Sequence, residues 1–404
     1  MKILITDIDP RPEFFGGIKR VSSILGNEWK LNHSVSFLSF CTSSLHFESF
    51  ASIPQYFLPD SEQMNSKENL EFFSEFVSKY SIDIILNQFG GDGPMSDLCI
   101  KVKQRTNVKL VSVLHFAVTH EEDVVKSAFF APLKMRYPFS GKGRMKTVVN
   151  EILFSLNYHL RNKNLKKKLF KDTIKEIYNS SDAFVLLSES QKDIFLQYIG
   201  SDNSSKLYAI NNPICLEEGQ IHGNELKRKH ILWCGRIEYG QKRLDRMIEI
   251  WKEIAFEYPD WELMIIGGGN IDYFKNIIQH EKIPNVHFTG FINPDEVYST
   301  GSIFCMTSSS EGWGMVLVEA MKHGCVPIAY DSFTALGDII QEGYNGFKIP
   351  PYRKGLFIRQ LKTLMVNENL RNQLSVNGRN FVRHFDKKII AEQWLDLFKQ
   401  LLSS

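Results

Sequence analysis

Short apolar runs rich in β-branched and aromatic residues recur along this chain, each followed by a longer stretch of helical period. In the first half the runs fall at residues 2–6, 35–40, 83–86, 108–114, 183–187 and 207–210. In the second half they fall at 230–234, 262–266, 286–289, 302–306 and 326–329. The clearest helical stretch follows Gln241, where Leu244, Met247, Ile248, Trp251, Ile254 and Ala255 share one face. Strands alternating with helices imply parallel sheets built from right-handed βαβ units. Runs that are apolar throughout, such as 263–266, suit sheets covered on both faces. A chain of 404 residues exceeds what one core of this kind usually holds, so two doubly wound α/β domains are expected. Asn212-Pro213 interrupts regular structure, and a polar stretch follows before the next strand. We therefore expect one domain over 1–213, a second over 214–385, and a helix over 386–404 that packs back toward the first.

Composition narrows the function classes. The formal net charge of +2 gives no global footprint for nucleic acid. Six cysteines are scattered without a C-x-x-C pair or histidines at metal-ligand spacing, which suits a reducing compartment better than a disulfide framework. The opening MKILITDIDP is too short an apolar run for a signal core, and no stretch approaches the ~20 apolar residues of a membrane span. A cytoplasmic protein is expected, with peripheral contact at the inner face of a membrane left open.

The strongest chemical signal is SSSEGWGMVLVEAMKHGCVPIAY, which begins at Ser308. A strand ends in serines and glycines, and a helical run from about Met315 to His323 follows. The amides of Gly314, Met315 and Val316 then open a helix, where they have no carbonyl of their own turn to bond and form an anion site. Glu311 stands beside that site, and Glu319 lies along the helix after seven intervening residues. Each carboxylate can accept sugar hydroxyls, the first from a hexose and the second from a ribose. Either glutamate alone would read as an ordinary surface residue. The Glu-Gly-x-Gly loop, the spacing and the following Gly-x-x-Pro strand entry make the combination hard to dismiss.

This segment resembles the E-x7-E signature of the retaining family 4 glycosyltransferases, which share the two-domain GT-B fold. The resemblance implies that Glu311 contacts the donor sugar and Glu319 the nucleotide ribose. A second stretch, ILWCGRIEYGQKRLDRMIEIW, resembles the family's Gly-Arg strand end and the lysine that opens the next helix. Arg236 and Lys242 would clamp the donor diphosphate and neutralise charge that grows as the sugar–phosphate bond breaks. Five residues separate them, one more than is usual in the family, so Arg243 stands as a substitute for Lys242.

Weaker signals gain meaning from their positions. Gly16 and Gly17 follow the first strand, where glycine lets backbone approach a phosphate; in the family this loop lies near donor phosphates and acceptor. His115 ends the strand run 108–114, where the family often has a histidine lining the cleft; a structural histidine is the bland alternative. Ser188 and Glu189 are read as caps of the next helix rather than chemical groups. Gly267-Gly268-Gly269 resembles the family's glycine-rich turn but lacks a full G-x-G-x-x-G, so a dehydrogenase gains little support. Ile292, after Thr289-Gly290-Phe291, matches the loop whose backbone meets the nucleobase.

The expected activity is transfer of a hexose from a UDP- or GDP-linked sugar to a hydroxyl of a glycan or lipid-linked glycan, with retention. No cofactor and no metal are expected. The sole D-x-D, Asp7-Ile8-Asp9, follows the first strand and reads as a turn feature. A GT-B nucleotide-sugar epimerase would need further acid–base groups that the sequence does not display. A glycan phosphorylase would need a lysine motif for pyridoxal phosphate, which is not evident. An inactive binding subunit would have little reason to keep Arg236, Lys242, Glu311 and Glu319 together. Residues 142–175 hold ten Lys or Arg against Glu151 and Asp172, with Leu153, Phe154 and Leu160 interleaved. That segment reads either as a surface for anionic lipid or as a solvated helix face.

Overall fold

A computed structural model of the chain describes residues 1–7, 17–40, 53–91, 93–117, 168–216, 227–237 and 240–403. Two sheets organise it, and every strand pair in both is parallel. The first sheet holds β1 (Lys2–Asp7), β2 (Ser34–Ser39), β3 (Gln55–Phe57), β4 (Ile84–Asn87), β5 (Lys109–Leu114), β6 (Ala183–Leu186) and β7 (Leu207–Ala209). Their spatial order is β3-β2-β1-β4-β5-β6-β7. The second sheet holds β8 (His230–Cys234), β9 (Glu262–Ile266), β10 (Val286–Gly290), β11 (Ile303–Met306), β12 (Val326–Tyr330) and β13 (Phe347–Ile349), in the order β10-β9-β8-β11-β12-β13.

The central strands are buried on both faces, which is why they read as unbroken apolar runs. Ile3, Leu4 and Ile5 of β1 are wholly buried, as are Ile84, Ile85 and Leu86 of β4. Helix Leu244–Ile254 buries Leu244, Met247, Ile248, Trp251 and Ile254, the stripe its period predicts. The two strands absent from the sequence reading, β3 and β13, are three-residue edges, too short to show a period and only partly covered.

Both sheets reverse strand order beside their first strand: β1 bonds β2 on one side and β4 on the other, and β8 bonds β9 and β11. Crevices form at the carboxyl edge of such switch points. Near residue 214 the main chain crosses between sheets, and it crosses again near 386. Ile214 donates to the Phe385 carbonyl at 2.8 Å, and Lys387 donates to Ile214 at 2.9 Å. Helix Lys387–Ser403 then lies on helix Gly17–Trp29 of the first domain. The Trp29 indole donates to the Ala391 carbonyl at 3.1 Å and meets the Phe398 ring at 5.5 Å.

Candidate active site

The C-terminal face of the cleft is made by the loops that leave β8 and β11. After β8, Gly235 lets the stem of Lys242 lie against the backbone; a Cβ there would stand 3.2 Å from Lys242 Cγ and Cδ. Gly267 and Gly269, at φ +135° and +137°, pack under the same loop, and their absent Cβ atoms would meet the Gly235 and Ile237 carbonyl oxygens at 2.1 and 2.3 Å. Ile237 donates to the Gly268 carbonyl at 2.8 Å. The triple glycine therefore holds the loop that carries Arg236, which is exposed at the strand's carboxyl end.

Lys242 Nζ lies 2.6 Å from Glu311 Oε1. Arg243 turns away into the domain, where its guanidinium makes a two-pronged contact with Asp245 (Nη2 to Oδ2 2.7 Å, Nε to Oδ1 2.9 Å). The extra residue in the spacing thus leaves Lys242 facing the site, while Arg243 adopts a left-handed backbone at the helix start. A serine-rich segment after β11 locks this arrangement. Ser309 Oγ donates to the Gly240 carbonyl at 2.7 Å, Ser309 N to the Gln241 carbonyl at 2.7 Å, and Gln241 Nε2 to the Ser310 carbonyl at 3.0 Å.

Each residue of the following loop has a separate physical task. Glu311 is buried against Lys242. Gly312 passes directly beneath the first domain, since a Cβ at 312 would sit 1.9 Å from the His115 carbonyl oxygen. Trp313 is buried edge-on against Phe385, with ring centroids 4.9 Å apart. Gly314, at φ +95°, starts helix Met315–Lys322, so its left-handed backbone favours glycine. The first amides of that helix, at Met315 and Val316, have no preceding turn of their own helix to receive them.

The N-terminal face brings two groups to this end. Helix Gly17–Trp29 starts opposite helix Met315–Lys322, with Gly17 against the Met315 side chain. One turn later, Arg20 Nη2 lies 2.8 Å from Glu319 Oε1. His115, just past β5, shares a 2.5 Å hydrogen bond with Gln88 Oε1 through its Nε2. Burial pushes the His115 imidazole down to about 3, so it is neutral at physiological pH. Around Cys234, the last residue of β8, the charges of Glu319, Lys242 and Arg20 converge, while burial pushes its thiol up to about 11.

Lys242, Glu311, Gly312, Gly314, Met315, Glu319, Gly17 and His115 are therefore brought to one end of the cleft. Ile292 stands two strands from β8, after β10, beside the exposed ring of Phe291. Gly16 and most of the basic stretch 142–175 lie outside the described residues, as does Asp9 of the D-x-D. Among the described residues no group of three His, Cys, Asp or Glu is placed to hold a metal ion. Ser188 stands at the N-cap position of the turn Glu189–Gln191, as read, but its side chain makes no capping hydrogen bond. Its hydroxyl donates across the cleft to Asp338 at 2.5 Å, Ser190 reaches the Thr334 carbonyl, and Gln191 Nε2 reaches the Gly312 carbonyl at 3.0 Å. Arg20, Gln88 and the interdomain role of Gly312 went unread, because each acts on a partner far away in sequence.

Residues 217–381 match the family model described as glycosyl transferases group 1. An uncharacterized glycosyltransferase of Haemophilus influenzae is 27% identical over 217 residues, 53% of this chain and 60% of that protein. The amylovoran biosynthesis glycosyltransferase AmsD of Erwinia amylovora is 27% identical over 233 residues, 54% of this chain and 63% of its own length. The chain thus spans less than two thirds of these relatives. In fold it resembles Anabaena Alr3699/HepE, solved with UDP and glucose, at a TM-score of 0.73 and 15% identity, covering 99% of this chain and 100% of that one. TarM gives 0.72 at 14% identity, over 98% and 99% of the two chains. The likeness to the glycosyl transferases group 1 thus lies in residues 217–381, while over its whole length the chain shares the two-domain GT-B fold.

Proposed function

We propose that the chain transfers a hexose from a nucleoside diphosphate sugar to a hydroxyl of a glycan or lipid-linked glycan, with retention of anomeric configuration. The observation that carries this reading is the Lys242–Glu311 pair at 2.6 Å, held by one face of the cleft beside a helix N-terminus. A carboxylate that can orient sugar hydroxyls and a cation that can meet a departing diphosphate stand within one reacting group of each other. Arg236 adds a second cation, and the amides of Gly314, Met315 and Val316 add preorganised donors.

In this reading the anomeric C–O bond to the diphosphate breaks through an oxocarbenium-like state, as in glycoside hydrolysis. The acceptor oxygen forms the new bond on the same face, and its proton passes to the leaving phosphate. Glu311 binds sugar hydroxyls, Glu319 the ribose, and Ile292 the base through its backbone. Neutral His115, with Gly17, lines the sugar and phosphate end, and no metal takes part. UDP in the HepE complexes supports a nucleotide donor. The name of AmsD supports polysaccharide assembly, and that of a Bacillus subtilis poly(glycerol-phosphate) alpha-glucosyltransferase, 24% identical over 246 residues, supports transfer of a hexose.

No described helix is long and apolar enough to cross a membrane. The basic stretch 142–175 makes the inner membrane face the proposed place of work. Three of its lysines, Lys168, Lys171 and Lys175, lie on the described helical segment 168–180, whose Ile174 and Ile177 are buried. The deciding experiment incubates the purified protein with UDP- and GDP-hexoses, with and without EDTA, and follows nucleotide release and thermal shift. One donor should stabilise the protein and be turned over in EDTA. Binding without turnover on any acceptor would leave a binding subunit, and binding of none would overturn the reading.

A further inference from the structure

Glu319 is the buried carboxylate of the candidate ribose site, yet its cation comes from the other domain. Arg20 Nη2 approaches Oε1 at 2.8 Å. The approach lies off the N–H axis, so Oε1 is charge-paired without an aligned hydrogen bond. The glutamate side chain is 6% exposed and the arginine 40%, so the carboxylate is enclosed and the guanidinium reaches it from the mouth. A carboxylate has room for about four hydrogen bonds across its two oxygens, and a single off-axis cation leaves acceptor sites for hydroxyls. An enclosed carboxylate without its cation is left uncompensated and tends to swing toward water.

Register enforces the pairing. Gly17 lies against Met315, and Arg20 three residues on meets Glu319 four residues on, so the first turns of the two helices meet at two points. Burial opposes the Arg20 charge, and the Glu319 carboxylate more than offsets it, leaving the guanidinium pKa raised.

We propose that Arg20 is a positioning residue for the nucleotide: across the domain interface it holds the Glu319 carboxylate aimed, so that recognition of the ribose hydroxyls depends on the N-terminal domain. This rests on the nucleotide-sugar reading above. It separates Arg20 from Lys242, whose partner Glu311 lies in the same domain, and it makes sugar-nucleotide selection a property of the two domains together.

The test compares UDP with 2′-deoxy-UDP and 3′-deoxy-UDP, and the matching guanosine set, by calorimetric titration of the full chain. The wild type should prefer one ribonucleotide over its deoxy forms by roughly tenfold or more, the range for a hydrogen bond to a charged acceptor. E319A should abolish that preference. R20M should lose most of it while diphosphate-dependent binding of the deoxy forms stays, R20K should recover part, and R20M/E319A should lose no more than E319A. A scaffold residue would weaken all nucleotides alike or none. An R20M protein that keeps the wild-type ribose preference, or binds the ribonucleotide more tightly, overturns the assignment; so does a wild type without ribose preference. If no nucleotide binds the wild type at all, the donor-site reading falls, and the Arg20 assignment falls with it. Thermal unfolding of each variant separates loss of binding from loss of fold.

Discussion

The two sides of the cleft supply their charges in opposite ways. On the C-terminal side, Lys242 and Glu311 belong to loops stitched together by Ser309 and Gln241, so their 2.6 Å contact is built before any domain movement. On the N-terminal side, Arg20 reaches Glu319 only while the two domains hold this arrangement. One ion pair is a property of a loop pair within a domain; the other is a property of an interface. Polar groups arranged before the reaction stabilise developing charge most, so the diphosphate end suits the first design. Recognition that should depend on closure suits the second.

The largest way to break this contrast is to destroy the scaffold under the first pair. Arg243→Ala leaves Asp245 buried without its cation, and losing one partner of a buried pair costs about 3–5 kcal/mol. Thermal unfolding should move down sharply. Lys242→Ala also leaves a buried carboxylate, Glu311, without its cation, but its own side chain is 19% exposed against 5% for Arg243, so unfolding should move down less. Donor turnover should fall by about 100-fold or more, as when other charge-stabilising donors are removed. If Arg243→Ala is stable and inactive while Lys242→Ala is fully active, the cation has been assigned to the wrong residue.

The interface can be broken with a single methyl group. Alanine at 312 would place its Cβ 1.9 Å from the His115 carbonyl, a backbone atom that cannot swing aside. The domains must part, so Gly312→Ala should lower turnover by about tenfold or more and open the particle in solution scattering, with far-UV dichroism preserved. Scattering identical to wild type would show that the contact yields locally.

How much of this could be read from the residues follows the same divide. Both sheets, the helix after Gln241, and the loop from Ser308 to Gly314 announce themselves through local period and spacing. Their signals lie in neighbouring residues, whatever distant partners complete them, so a linear reading finds them. β3 and β13 were missed because three residues at a sheet edge carry no period. Arg20 was invisible because its meaning is a contact with Glu319 in the other sheet's helix. Gly312 looked like one more loop glycine until the His115 carbonyl stood over it. Ser188 does stand at the N-cap position that Ser-Glu-Ser suggests, but its hydroxyl bonds Asp338 across the cleft rather than the turn, which no local pattern shows.

Removing the carboxylate of the interface pair gives a smaller effect than removing the scaffold of the first. Glu319→Ala should weaken donor binding by about 1–3 kcal/mol, the loss expected for hydrogen bonds to ribose hydroxyls. Calorimetric titration checks it, and an unchanged dissociation constant would take Glu319 out of the site. Because Arg20 is left without its carboxylate, a little stability should go too.

The smallest expected effect concerns His115, which touches the interface through its carbonyl and Gln88 through its ring. Burial holds its folded pKa at about 3, below the ordinary value of 6.5. Between those values the unfolded chain binds a proton that the folded chain refuses, so acid favours unfolding. The His115 contribution is therefore complete above about pH 6.5 and is lost as pH falls from 6.5 toward 3. His115→Gln removes the proton and keeps a hydrogen-bonding side chain. Its denaturant midpoint should fall less steeply than that of the wild type between pH 6.5 and 4.5, with the two curves parallel above pH 7. Turnover of the wild type should likewise show no inflection near pH 6.5 that disappears in His115→Gln, since a neutral imidazole has no charge to lose there. An inflection that vanishes with the histidine would mean that the ring is charged in the working enzyme, and that the cleft around it opens to water during turnover.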